Sequence, residues 1–315
     1  MNLSRRTIVT RLLPAPFLLG SAITTSWAAD NRKGILLLAH GTHRMEAMPA
    51  GDHAAHAGHM TGGAGIDSPS LWDANVEAIA QDLNKSHPTE VAFGMAETGA
   101  IQAAVDRLEA RGVTTIVAVP LFISSHSPII GNFRYILGLQ QTLGAHTDLK
   151  RLPRVRSKAK FKFAEALDAD FLVSEILYDR AMALTSEPAK ANVVIIAHGP
   201  NDDEDNKLWL ADMEKHAAYL KSRGFRSVEV LTHRNDADES TKDAARQAFR
   251  ERVERASQDG LTVVVPLLLS EGGVEKEVEG DLSGLQYRFG KPLAPHPNLA
   301  AWVEAKFAAL SEATP

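Results

Sequence analysis

Two apolar runs recur half a chain apart. Residues 35–38 read Ile-Leu-Leu-Leu and residues 193–196 read Val-Val-Ile-Ile, and each is closed by the same Ala-His-Gly triplet, at 39–41 and at 197–199. A short, unbroken apolar run bounded by a glycine turn predicts a strand covered on both faces, as in a parallel sheet. Each run therefore delivers a histidine, His40 or His198, to the C-terminal edge of a sheet. That edge is where open α/β folds place their ligands.

The pattern continues in parallel through both halves. A helical period opens at Trp72 and again at Trp209, a second strand is predicted over 91–96 and over 228–233, and a second amphipathic helix over 100–111 and over 242–257. Thr-Ile-Val-Ala-Val-Pro-Leu-Phe-Ile-Ser at 115–124 answers Thr-Val-Val-Val-Pro-Leu-Leu-Leu-Ser at 262–270 as a third strand. Closing helices fall near 166–184 and 294–310, with Asp170 and Asn298 as their N-caps. Strands alternating with helices build right-handed βαβ units. The expected architecture is α/β, with two similar lobes related by internal duplication, each a parallel sheet flanked by helices. The first lobe is assigned to 30–188, ending at the Ser186-Glu187-Pro188 turn, and the second to 189–315.

Residues 1–28 read as an export signal. Ser4-Arg5-Arg6-Thr7 resembles a twin-arginine signal, the apolar stretch over 12–23 is too short for a bilayer span, and Ser26-Trp27-Ala28 offers a small-residue cleavage site. The expected location is the periplasm or another exported compartment, with no stable membrane insertion once the signal is gone. With no cysteine in the chain, thiolate metal sites and disulfides are excluded, and the chemistry falls to His, carboxylate, hydroxyl or Met. The net charge of −5 argues against nucleic acid as a partner. Dinucleotide, phosphate-loop and serine-hydrolase motifs are missing from the sequence.

The halves differ in one place. Thirty-two positions separate His40 from Trp72 but eleven separate His198 from Trp209, so the first lobe carries an insertion of about 21 residues, near 45–65. In it His53, His56 and His59 recur every third residue among Met45, Met48 and Met60. Imidazole with thioether suits copper, nickel or cobalt better than magnesium or calcium. Such a loop could pass metal to His40 and His43.

Three residues are candidates for the reaction centre. His40 is placed by the first strand, with Gly41 allowing a close turn behind it; His126 follows the third strand on the same sheet edge. Two strand-end histidines facing one crevice make a metal site open on one side. Glu97, at the predicted end of the second strand, could bind metal or accept protons. The second half has Gly272 where the first has His126, so the first lobe is expected to hold the working site and the second to supply a wall. His198 with Glu271 is an alternative hard-ligand site.

The repeated strand-Ala-His-Gly, the Val-Pro-Leu-Phe strand with its following histidine, and the helix opening at Trp72 resemble class II chelatases. More closely, the chain resembles the long, two-repeat sirohydrochlorin cobaltochelatases and ferrochelatases of the CbiX and SirB type. That resemblance implies two α/β lobes around a cleft for a tetrapyrrole, with a divalent cobalt, nickel or iron ion as co-substrate and no organic cofactor. It makes His40 the family's first histidine and His126 its second, although His126 follows Pro120 sooner than is usual. Glu97 matches a carboxylate typical of the family. Arg44, Arg134 and Tyr135 become candidates for the substrate's carboxylates. Because the resemblance implies that the tetrapyrrole precursors are made in the cytoplasm, an exported member raises an alternative expectation: a metal-binding or metal-delivery protein on a chelatase scaffold. A third is a tetrapyrrole-binding protein without turnover.

Overall fold

The computed structural model describes residues 32–41, 70–145, 147 and 150–312. The export-signal segment, Arg44, His43 and the insertion with His53, His56 and His59 lie outside the described residues. No helix among the described residues is long and apolar enough to cross a membrane.

The first half runs β1 (Lys33–Ala39), α1 (Leu71–Leu83), β2 (Thr89–Phe93), α2 (Thr98–Ala110), β3 (Thr115–Leu121), α3 (Pro128–Ile136), β4 (Lys160–Phe163) and α4 (Phe171–Met182). A 3-10 turn, Pro188–Lys190, leads into the second half. There β5 (Ala191–Ala197), α5 (Asp203–Ser222), β6 (Ser227–Thr232), α6 (Glu239–Asp259), β7 (Leu261–Leu267), α7 (Gly273–Asp281), β8 (Arg288–Phe289) and α8 (Pro297–Glu312) repeat the same order. The sheets are ordered β2-β1-β3-β4 and β6-β5-β7-β8, every pairing parallel. Even the register repeats: Ala39 lies opposite Leu121, and Ala197 opposite Leu267.

Two sequence expectations are corrected at this level. Each sheet has a fourth strand, which went unread because β4 interleaves lysine with phenylalanine and β8 is two residues long. Asp170 caps α4 as expected, accepting from Leu172 N at 3.0 Å. Asn298, however, lies inside α8; the ring of His296 accepts from Asn298 N at 3.2 Å and takes the capping role, with Pro297 as the first helical residue.

Pleating sorts each central strand between two cores. Ile35, Leu37 and Ala39 of β1, with Val193, Ile195 and Ala197 of β5, join one hydrophobic cluster that also takes in α1, α4, α5 and α8. Leu36 and Leu38 face the other way, into a core closed by α2 and α3; Val194 and Ile196 face a third, closed by α6 and α7. The halves therefore do not pack as separate lobes. The closing helices are exchanged: α4 packs on β7 of the second sheet, and α8 packs on β3 of the first. Arg180 of α4 donates to the carbonyls of Pro292, Leu293 and Pro295 at 2.7–2.9 Å, and Lys33 and Lys162 donate to the last carbonyls of α8.

Between the halves His216 of α5 is fully buried. Its Nε2–H donates to the Asp168 carbonyl at 2.9 Å, and its Nδ1 lies 2.7 Å from the Ser174 hydroxyl, from which the neutral ring accepts. Burial pushes its pKa down, in agreement with that geometry.

A shared inner core predicts shared stability. A fragment ending at residue 188 leaves the inner faces of β1 and β3 without α8, and it is expected not to fold cooperatively. In the full chain the amides of β1 and β5 should show the same hydrogen-exchange opening free energy; a first half that folds alone with native protection contradicts this.

Candidate functional site

The cleft is built at the C-terminal edges of the two sheets. The β1–β2 pairing runs to the end of both strands, with Gly94 N donating to Ala39 O at 3.0 Å, and His40 follows directly on that edge. A Cβ on Gly41 would lie 2.6 Å from Cβ of Phe93, so a side chain there would collide with the end of β2 just beyond His40. The second half repeats the device: Gly199 has φ +76° and a Cβ there would lie 2.5 Å from Cβ of Thr232.

His40 is half-buried, with the Trp72 ring edge-on at 5.7 Å between centroids. Burial, and then the neighbouring charge of His198, hold its pKa below the usual histidine value of 6.5. Asp236, Asp73 and a hydrogen bond to the Gly41 backbone pull the other way. A histidine held neutral at pH 7 keeps a lone pair for a metal ion or a proton. His198 donates from Nδ1 to the Gly199 carbonyl at 2.7 Å and turns Nε2 toward Asp236 Oδ2 at 3.4 Å. The sequence reading gave His198 no histidine neighbour and offered Glu271 as its partner. In the structure His198 stands close enough to His40 to affect its charge, and its carboxylate is Asp236. Glu271 sits instead beside Glu275, whose carboxyl is pushed up to about 7 by burial and then by Glu271.

His126 lies in the loop after β3. Asp168 cinches that loop, accepting from Ser125 N at 2.6 Å and from Ser125 Oγ at 2.7 Å, while Ser124 Oγ accepts from His126 N at 3.1 Å. Helix α5 of the other half then holds the histidine twice: Trp209 Nε1 donates to His126 O at 3.3 Å, and Asp212 Oδ2 is 3.5 Å from His126 Nε2. His126, Ser125, Asp168, Asp212, Lys215 and Lys306 line a groove of about 460 Å³. His40 and His126 share no hydrogen bond or ring contact. Among the described residues no group of three or more His, Cys, Asp or Glu is gathered for a metal ion.

The remaining candidates are placed as follows. Strand β2 ends at Phe93, so Glu97 is not a strand-end residue; it is the exposed residue before α2, reached through Gly94 at φ +127° and Ala96 at φ 62°. Its carboxyl folds back over Gly94, and the charges that act most strongly on His40 come from His198, Asp236 and Asp73. Arg134 pairs with Glu165 at 2.7 Å and lies over the Phe163 ring, while Tyr135 lies beneath Arg154 at 4.6 Å. Asp73, Asp236 and Asp212 were missed in the sequence. Asp73 and Asp212 had a usable signal, because each follows a duplicated tryptophan, Trp72 at the start of α1 and Trp209 within α5, which begins at Asp203 and not at Trp209 as the pattern suggested.

The CbiX family model matches residues 63–184 and again 192–310. The chain belongs to the CbiX family. The first match spans α1 to α4 and the second β5 to α8, so each half of the fold carries one match, with β1 and His40 ahead of the first. Among solved structures the chain is similar to SirB from Bacillus subtilis with Fe3+, at 18% identity and a TM-score of 0.59, covering 89% of this chain and 96% of that one. The sirohydrochlorin chelatase SirB from Bacillus subtilis subspecies spizizenii in complex with cobalt matches at 15% identity and TM-score 0.57, with the same coverage. CbiX, described as the terminal enzyme for biosynthesis of siroheme in denitrifying bacteria, matches at 14% identity and TM-score 0.55, covering 88% of this chain and 98% of that one. No curated protein shows significant sequence similarity. At these identities the structures establish a chelatase fold of two CbiX repeats.

The charges around His40 make a signed prediction. Replacing His198 by Ala removes the neighbouring ring that disfavours a charge on His40 and should raise the His40 pKa, whereas Asp236→Asn should lower it. An NMR titration of the His40 ring checks both; a pKa unmoved by either substitution contradicts the coupling.

Proposed function

We propose that the protein inserts a divalent metal ion into a sirohydrochlorin-type tetrapyrrole. The observation that supports this most is His40, kept neutral at the mouth of a two-repeat chelatase fold. Insertion replaces the ion's water ligands by four pyrrole nitrogens and releases two protons. It needs exchangeable neutral ligands and a nearby base. In this reading His40 and His126 present the ion from the first half. Once the ion has passed to the macrocycle and freed a ring nitrogen, one of the two histidines can take a released proton, and the Asp236 and Asp73 carboxylates partly offset the cost of that charge at His40. Glu97, exposed before α2, is a less direct base. Cobalt is the metal favoured here, with nickel and iron as candidates. Arg44, Arg134 and Tyr135 are assigned to the macrocycle's carboxylates.

We also propose that residues 1–28 direct export. The second reading, a periplasmic metal-delivery protein, is favoured by one feature, the His53, His56 and His59 insertion in a chain that opens on a twin-arginine-like signal.

Anaerobic mixing of the purified protein with sirohydrochlorin and cobalt, nickel or iron, followed by absorbance, separates the two. Chelation predicts insertion faster than the uncatalysed rate and a loss of about a hundredfold or more in His40→Ala. Removing 47–65 should then leave turnover while lowering bound metal. No acceleration with any of the three metals, together with metal binding that is lost with the insertion, overturns chelation in favour of delivery.

A further inference from the structure

The two repeats have diverged in a matched pair of positions. Aligned on Trp72 and Trp209, Asn75 of α1 corresponds to Asp212 of α5; aligned on Pro120 and Pro266, His126 corresponds to Gly272. Each helix reaches across to the strand-end loop of the opposite half. Asp212 meets His126 at 3.5 Å, and Asn75 Nδ2 donates to Ser270 Oγ at 2.8 Å. Where the chain keeps the histidine it has a carboxylate on the facing helix. Where the histidine is absent the facing residue is a neutral amide.

We infer that Asp212, from the second half, is a positioning residue for His126: it holds the ring proton on Nε2 and leaves the Nδ1 lone pair as the group that meets the metal. This rests on the proposed role of His126 in holding the metal. The geometry argues for it in three ways. The nearer ring nitrogen is Nε2, and a carboxylate, which only accepts hydrogen bonds, favours a proton on the nitrogen facing it. Trp209, one turn before Asp212, fixes the His126 carbonyl at 3.3 Å, so one face of α5 clamps both backbone and ring. Asp212 is itself held: Lys215 donates to its other oxygen, Oδ1, at 2.8 Å, and its side chain is 17% exposed. A histidine that ligates through one nitrogen commonly donates its other N–H to a carboxylate, which orients the ring and raises its basicity. The second half thus takes part in the chemistry of the first.

The test is the His126 ring tautomer in the full chain, read from long-range 15N–1H correlations with His126→Ala as the assignment control. The wild type should show the Nε2–H form, and Asp212→Asn and Asp212→Ala should give a mixture. The cobalt concentration that broadens the His126 resonances should rise about tenfold or more in both variants. Insertion should slow in kcat with KM for the tetrapyrrole unchanged. Asp212→Glu should restore the tautomer. A pure Nε2–H tautomer and a cobalt response within twofold of wild type, in both Asp212→Asn and Asp212→Ala, overturn the inference. If the wild type inserts no metal, the proposed function fails, and the tautomer alone still decides the role of Asp212.

Discussion

The exchange of closing helices is the constraint on which the rest depends. Both central sheets are apolar on both faces, and the inner faces are buried in one cluster that α1, α4, α5 and α8 complete together. Burial of a single Leu or Val side chain is worth about 1.5–3 kcal/mol, so a sheet face lined by residues such as Leu37 and Val119 cannot stay wet. The cover for the first sheet arrives from the end of the chain, and the cover for the second from its middle. The strand-end loops of each half are thereby held against a helix of the other. The cleft and its mixed lining follow from that packing.

The duplication supplies two similar edges, and the chain uses them unequally. His40 and His198 survive as a pair whose charges oppose each other, and both rest against the backbone of the glycine that follows. His126 has no counterpart at Gly272, and its facing carboxylate has no counterpart at Asn75. The second edge has acquired instead the Glu271 and Glu275 pair, in which burial keeps one carboxyl protonated more readily than usual. A duplicated scaffold with this histidine in one half only gives a site that approaches its ligand from one side.

Much of this was legible in the chain before folding. The repeated apolar runs ending in Ala-His-Gly named the central strands, and the glycines proved necessary because a Cβ at 41 or 199 would collide with Phe93 or Thr232. Local pattern also found Asp170 as a cap. It failed where a residue's role depends on the other half. Asp212 looks like any polar residue on the exposed face of α5 until α5 is laid across the loop of His126. Asp236 follows β6 with no motif around it, and Glu97 reads as a strand end because two unusual backbone angles, at Gly94 and Ala96, separate it from β2. Strand β8 carries too few residues to show any period.

The central claim is that a duplicated fold works from one edge. Anomalous diffraction at the cobalt edge, on crystals of the protein soaked with cobalt, tests it most directly. A cobalt peak at the C-terminal edge of β1 and β3, against His40 or His126, with none at the Gly272 edge, is the predicted result. Equal peaks at both edges, or a peak held only by His198 and Asp236, would contradict it.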